Sequence, residues 1–70
     1  MYHYYVRYSV YNNEGKRIGQ GWTEFSVKRP ILYSEDIKMI ADRIKDETKK
    51  SEMPDAAVVI IDFYNFLRQE

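Results

Sequence analysis

The sequence predicts an α+β domain of two layers, a three-stranded antiparallel sheet that carries one helix on one face. Three observations lead to this expectation. The segment Tyr2 to Tyr11 is aromatic and β-branched, which favours a strand, and a second strand-like segment follows a turn. A helical repeat then precedes a final apolar run. The element order is therefore ββαβ, and residues 1–70 are expected to form one domain.

The first two strands are predicted to form a hairpin. Residues 12–16 include two asparagines and a glycine, residue types that tolerate positive φ in turns. The second strand is expected from about Arg17 to Lys28, because Pro30 cannot donate to a sheet. Gly19 and Gly21 lie inside this strand and indicate a bulge or a strong local twist.

The helix is predicted from its cap and its apolar stripe. Ser34 is expected to be the N-cap, and Glu35 and Asp36 follow in the first turn, where the helix dipole favours acids. Apolar residues then repeat at helical spacing, at Ile37, Ile40, Ala41 and Ile44. The last strand is expected from Ala56 to Leu67, with residues 68–70 frayed.

Pairing the last strand with the first gives the sheet order 2-1-3, in which every neighbouring pair is antiparallel and the tyrosine-rich strand is central. Successive side chains in a strand point to opposite faces. A buried, unpaired charge is costly, so Arg7 and Asp62 are assigned to the face away from the helix. Alternation then assigns these residues to the helix side: Tyr4, Val6, Tyr8, Val10, Thr23, Phe25, Val27, Ala57, Val59, Ile61 and Phe63.

The face that the helix leaves uncovered is the candidate interaction surface. Large exposed apolar patches usually mark an interface, and Trp, Tyr and Arg dominate interface energetics. On this face Arg7 is predicted to lie between Glu24 and Asp62 and to pair with both acids. The predicted interface residues are Tyr5, Arg7, Tyr11, Trp22, Glu24, Val58, Ile60, Asp62 and Tyr64.

The last strand offers a second route to association. In the order 2-1-3 it is an edge strand, and the segment Val58 to Phe63 is predicted to be flat and apolar, with Asp62 as its only charge. Such an edge invites pairing with another chain. A two-fold dimer could join two of these edges into a six-stranded sheet or stack two open faces.

Composition excludes several classes of function. The chain has no cysteine, which rules out disulfides and thiolate metal sites and fits a reducing compartment, so a cytoplasmic location is expected. Eleven basic residues balance eleven acidic ones, so no net field attracts nucleic acid or an anionic membrane. The longest apolar run is too short to span a membrane. A single histidine supports no metal or catalytic site, and Gly19-Gln20-Gly21 lacks the rest of a phosphate loop.

We therefore expect a non-catalytic module without cofactor or metal, because one helix on three strands leaves little room for a substrate pocket. The favoured function is protein binding or homodimerisation through the open sheet face or the edge strand. The alternative is a single-stranded nucleic-acid-binding module, with bases stacked on Tyr5, Tyr11 and Trp22 and Arg7 supplying charge. The even charge balance disfavours that alternative, because phosphate binding needs surplus positive charge.

Most of the chain also resembles a known group of proteins. The resemblance is carried by Gly19-x-Gly21-x-x-x-Phe25, by Pro30-Ile31 and Ser34-x-Asp36-Ile37, and by the apolar strand from Val58. In these features the chain is similar to short, uncharacterised proteins from phages and prophages of Gram-positive bacteria. The resemblance implies a phage-accessory role, including inhibition of a host protein, and carries over no functional residue.

Overall fold

The computed structural model describes residues 1–70 and contains four elements. They are β1 (Tyr2–Tyr11), β2 (Arg17–Val27), α1 (Ser34–Ser51) and β3 (Val58–Gln69). The three strands form one antiparallel sheet in the order β2-β1-β3. The predicted two-layer ββαβ fold is confirmed. β3 begins and ends two residues later than expected, and it includes Arg68 and Gln69, which were predicted to fray.

The β1–β2 loop is organised by Asn12 and Gly15. The Asn12 side-chain oxygen accepts hydrogen bonds of 3.0 Å from the backbone N–H groups of Glu14 and Lys16. Gly15 has a φ of 78°, a backbone conformation that residues other than glycine rarely adopt. Its N–H donates to the Asn12 carbonyl. The predicted loop at residues 12–16 is therefore present, but only Gly15 has positive φ, and Asn12 contributes through its side-chain oxygen.

The glycines of β2 make room for side chains on the helix side of the sheet. A bulge at Ile18 shifts the register, so that Tyr11 pairs with Arg17 and Val10 with Gly19. Gly21 lies opposite Tyr8, and a Cβ placed at Gly21 would lie 2.8 Å from the Tyr8 hydroxyl oxygen. A Cβ at Gly19 would overlap the tip of Met53. The bulge therefore lies at Ile18 and not at the glycines, where it was expected, and side-chain space is the reason for glycine at residues 19 and 21.

The helix begins differently from the prediction. Tyr33, not Ser34, occupies the N-cap position, and Ser34 is the first helical residue. The Asp36 carboxylate reaches back instead: its Oδ2 accepts the N–H groups of Leu32 and Tyr33, each at 3.1 Å. Asp36 is the third residue of the helix, the position from which an acidic side chain caps the preceding backbone.

The core lies between α1 and the helix side of the sheet and is small. Val6, Val10 and Ile40 are almost fully buried. Nine buried apolar residues form the core cluster: Tyr4, Val6, Val10, Val27, Ile40, Ala41, Ile44, Ala56 and Val59. Of the predicted helix stripe only Ile37 remains partly exposed. No helix of the chain has the length and apolar character needed to cross a membrane.

Two bulges in β3 change which of its side chains face the helix. Ile61 pairs with Tyr8 and Phe63 with Arg7, so Asp62 is an extra residue, and a second shift leaves Leu67 unpaired. Residues directly opposite share a face. After the Asp62 bulge Phe63 therefore lies on the open face, and Tyr64, opposite Val6, lies on the helix side. The predicted placements of Phe63 and Tyr64 were wrong, because alternation was counted through an extra residue.

Candidate functional site

An aromatic row crosses the open face of the sheet. Tyr5 of β1 lies between Trp22 of β2 and Phe63 of β3, with ring centroids 5.7 Å and 6.3 Å away, respectively. Trp22 is the most exposed of the three, with 67% of its surface accessible. Both ring separations lie in the range of favourable aromatic pairs. The row includes the predicted interface residues Tyr5 and Trp22 and adds Phe63, which the prediction had placed under the helix.

Arg7 lies beside this row and has no acidic partner. In the sheet register it is opposite both Trp22 and Phe63. It is exposed, and no carboxylate oxygen lies within 4.0 Å of its guanidinium. The predicted pairing of Arg7 with Glu24 and Asp62 was therefore wrong. The two acids have other partners, and Arg7 keeps an uncompensated positive charge between two exposed rings.

Glu24 belongs to a polar cluster at one end of the open face. Its Oε2 lies 3.0 Å from Nη2 of Arg68 and 3.5 Å from Nδ1 of His3. The hydrogen bond and charge of Glu24 raise the pKa of Arg68 above its usual value. His3 Nδ1 also shares a 2.7 Å hydrogen bond with the Ser26 hydroxyl. This cluster fastens β3 to β2 across the central strand, which explains why Arg68 is not frayed.

Asp62 faces the open side, as predicted, but its role is local. Its Oδ2 accepts a 2.6 Å hydrogen bond from the Ser9 hydroxyl, and Ser9 is buried. A bulge turns a side chain away from the regular alternation of the strand, and here the turned carboxylate satisfies a buried hydroxyl. The acid therefore contributes to the packing of β1 against β3.

The remaining predicted interface residues divide between the two faces. Val58 lies opposite Tyr11 and Ile60 opposite Ser9, on the open face, and both aliphatic side chains are about half exposed. Tyr64 lies on the other face, where its ring is 6.1 Å from the Tyr4 ring. The structure thus brings together eight of the nine predicted residues on the open face and excludes Tyr64.

A second exposed apolar strip runs along the helix side of β3. Phe66 packs its ring 5.6 Å from Tyr4 and 6.3 Å from Tyr2, and it remains half exposed, as does its neighbour on this face, Tyr64. This strip was not predicted from the sequence, because α1 was expected to cover the whole helix side of the sheet. The signal for it in the sequence was the run of large apolar residues from Phe63 to Leu67, which only Asn65 interrupts.

The edge of β3 is less regular than expected. The segment from Val58 to Phe63 was predicted to be flat, and the bulge at Asp62 interrupts it. Bulges are one of the devices that make an edge strand a poorer template for pairing. Between the two bulges, residues 63–66 form an uninterrupted stretch with exposed aromatic side chains on both faces.

The arrangement has no metal-binding character. No three side chains of the types His, Cys, Asp and Glu lie close enough together to hold an ion. The chemistry available at the centre of the open face is apolar contact, ring stacking and the unpaired guanidinium of Arg7. No family model, curated protein or solved structure matches the chain significantly.

Proposed function

We propose that this chain is a non-catalytic homodimerisation module whose two copies pair through the free edges of β3. The observation that supports the proposal is the exposure of the apolar side chains of β3. Six large apolar side chains of β3 each keep between 41% and 51% of their surface exposed. Exposed apolar area on this scale is unusual for a monomer and typical of an interface. The six residues are Val58, Ile60, Phe63, Tyr64, Phe66 and Leu67.

The occupant that fits this strand best is a second copy. The exposed side chains lie on both faces of one edge strand, so a partner laid on either face alone would cover only some of them. Another strand added at the edge flanks both faces at once. An antiparallel pairing of β3 with the same strand of a second copy also obeys two-fold symmetry, the commonest arrangement of soluble oligomers.

Charge and size favour self-association. The formal net charge is zero, so two copies meet without long-range repulsion. Domains of this size bury a smaller fraction of their surface than larger domains do, and oligomerisation is one way in which they gain stability. Here 12 of 70 residues are buried, and the chain has no disulfide to compensate. A six-stranded sheet would extend the small core across two chains.

The regular stretch 63–66 is the expected centre of the interface. Strand addition needs an uninterrupted ladder, and this stretch lies between the bulges at Asp62 and Leu67. A two-fold axis through it places both helices on the same side of the joined sheet. Tyr64 and Phe66 of each copy would then lie between the two helices, where their exposed rings are covered.

Light scattering coupled to size exclusion tests the proposal. We expect the wild-type chain to elute with twice the 8.5 kDa mass of one copy. Phe66→Lys and, separately, Leu67→Lys should give the mass of a single copy, because each places a charge at the edge. Gln20→Lys, the same kind of change on the opposite edge strand, is the control and should remain dimeric.

Circular dichroism separates a lost interface from a lost fold. The lysine variants at residues 66 and 67 should keep the wild-type α+β spectrum. A wild-type chain that stays monomeric at high concentration would refute the proposal. Folded lysine variants that remain dimeric would refute the edge as the interface. Loss of the dimer in the double variant Trp22→Ala, Tyr5→Ala would assign it to the open face instead.

One observation favours single-stranded nucleic-acid binding as a second candidate function. Arg7 lies between Trp22 and Phe63 without a carboxylate partner, which supplies the positive charge and rings that base stacking uses. Adding oligothymidylate at low salt should quench Trp22 fluorescence, with quenching lost steeply as salt rises. Arg7→Gln should reduce the quenching, and Lys38→Gln, which removes a charge on α1 and away from the open face, serves as its control. Absence of quenching at low salt removes this candidate.

The cytoplasmic location and the phage-accessory role remain part of this proposal. The absence of cysteine supports a reducing compartment. The sequence features around Gly19, Ser34 and Val58 support the phage-accessory role. A compact dimer suits a protein that acts by occupying a surface of another molecule.

A further inference from the structure

A groove lies between the first half of α1 and the end of β2. It is at the β2 edge of the sheet, and β3 forms the other edge. Its volume is about 340 Å³, within the range of small-molecule sites. Apolar side chains form much of its lining, among them Val27, Ile31, Met39 and Ile40. Met39 is about half exposed although it neighbours the buried Ile40. An apolar surface is therefore open to solvent here.

The groove has a positive rim in a chain with no net charge. Lys28, Arg29 and Arg43 line it, and Asp36 is the only acid among the lining residues. Arg29 is neutralised, because its Nη2 lies 2.9 Å from Oδ1 of Asp36. Lys28 and Arg43 have no carboxylate within 4.0 Å. Two uncompensated cations therefore border the apolar surface.

Asp36 and Arg43 are held in place by contacts within the chain. Asp36 accepts hydrogen bonds from Leu32 and Tyr33 in addition to its bond with Arg29, so it is not available to pair with the other cations. The guanidinium carbon of Arg43 lies 5.3 Å from the centroid of the Phe25 ring, which keeps the charge beside β2. An anion at the rim would thus meet the positioned charge of Arg43 without displacing an internal ion pair.

We propose that this groove binds a small, free amphipathic carboxylate. Its apolar chain lies along Ile31 and Met39, and its carboxylate lies at the rim formed by Lys28 and Arg43. The volume suits a short chain or a single ring system, and the two cations select the charged form of the ligand. The site is separate from the proposed β3 interface, because the cations and apolar side chains named for it lie on α1 and on or just after the end of β2.

Decanoate is the probe, and decanol, with the same chain and no charge, is its control. We expect decanoate to shift the amide resonances of residues lining the groove and to bind at least fivefold more tightly than decanol. Arg43→Gln and Lys28→Gln should each weaken decanoate binding about two- to fivefold, as for a partly exposed ion pair. Arg17→Gln makes the same charge change outside the groove and should leave binding unchanged.

Equal affinity for decanoate and decanol would overturn the role of charge. Shifts confined to β3, or no saturable shifts, would overturn the site itself. Preferential binding to phosphatidylglycerol vesicles over free decanoate would overturn the assignment to a free ligand. The Lys28→Gln variant keeps the test decisive if loss of the Arg43–Phe25 contact disturbs the fold.

Discussion

Asp36 is the residue on which the start of the helix depends. The Leu32 and Tyr33 N–H groups, and then Arg29, lower the pKa of its carboxyl below the usual value of 3.8. A folded-state pKa below the unfolded one means that the charged form stabilises the fold. That contribution is complete above the unfolded pKa and is lost as pH falls through the lower, folded pKa.

We therefore expect Asp36→Asn to lower the Tm at neutral pH and to reduce the fall of Tm as pH is lowered below about 4. The wild type and the variant should converge at low pH, where both side chains are neutral. Thermal unfolding followed by circular dichroism between neutral and strongly acidic pH measures this. Parallel curves would show that Asp36 does not contribute through its charge.

Gly21 and Gly19 form a matched pair for testing close packing. A Cβ at Gly21 meets the hydroxyl and ring of Tyr8, whereas a Cβ at Gly19 meets only the flexible end of Met53. Gly21→Ala should lower the free energy of unfolding by about 1–3 kcal/mol, as overpacking does. Gly19→Ala should change it by less than about 0.5 kcal/mol, because Met53 can move. Urea unfolding compares them, and equal effects would contradict this account.

Among the elements, α1 packs on the sheet through a narrow stripe of buried side chains. Ile40 is 2% exposed, and its neighbour Met39 is 45% exposed. Ile40→Ala should lower the free energy of unfolding by about 2–5 kcal/mol, because it leaves a cavity in the core cluster. Met39→Ala, on the same helix, should change it by about 0.5 kcal/mol or less. Chemical denaturation measures both free energies of unfolding. A larger loss for Met39→Ala than for Ile40→Ala would show that the helix is rotated so that Met39 faces the core.

The elements also show what could be predicted from sequence. The strand propensities, the loop at residues 12–16 and the helical spacing are local properties, so the element order followed from them. The bulge at Asp62 is not local, because an extra residue is defined only by its pairing with the partner strand. For that reason Asp62 was placed correctly, and Phe63 and Tyr64, one and two residues later, were not.

Most of the candidate surface could be predicted, but its electrostatics could not. Alternation identified Tyr5 and Trp22 on the open face, where they pack together. Which acid pairs with which base depends on side-chain reach across the sheet. Glu24 was expected to pair with Arg7 and pairs with Arg68, a residue thought to be outside the last strand.

For the whole molecule, the proposed dimer links stability to concentration. Anything that binds the folded state alone stabilises it by mass action, and a second copy is such a ligand. We expect the Tm of the wild type to rise with protein concentration and that of Phe66→Lys to stay constant. Calorimetry over a range of concentrations measures this. A constant wild-type Tm would argue against coupled folding and association.

The strand order carries a consequence for the pathway of folding. β1 and β2 are neighbours in the chain and are joined by a short loop, so they can meet quickly. β3 is separated from β1 in the sequence by β2 and α1, and it pairs with the other side of β1. Contacts of such long sequence separation form late. Until then the central strand has one vacant side, which the third strand of a neighbouring molecule can fill. Refolding at high concentration should therefore produce exchanged pairs that persist after dilution.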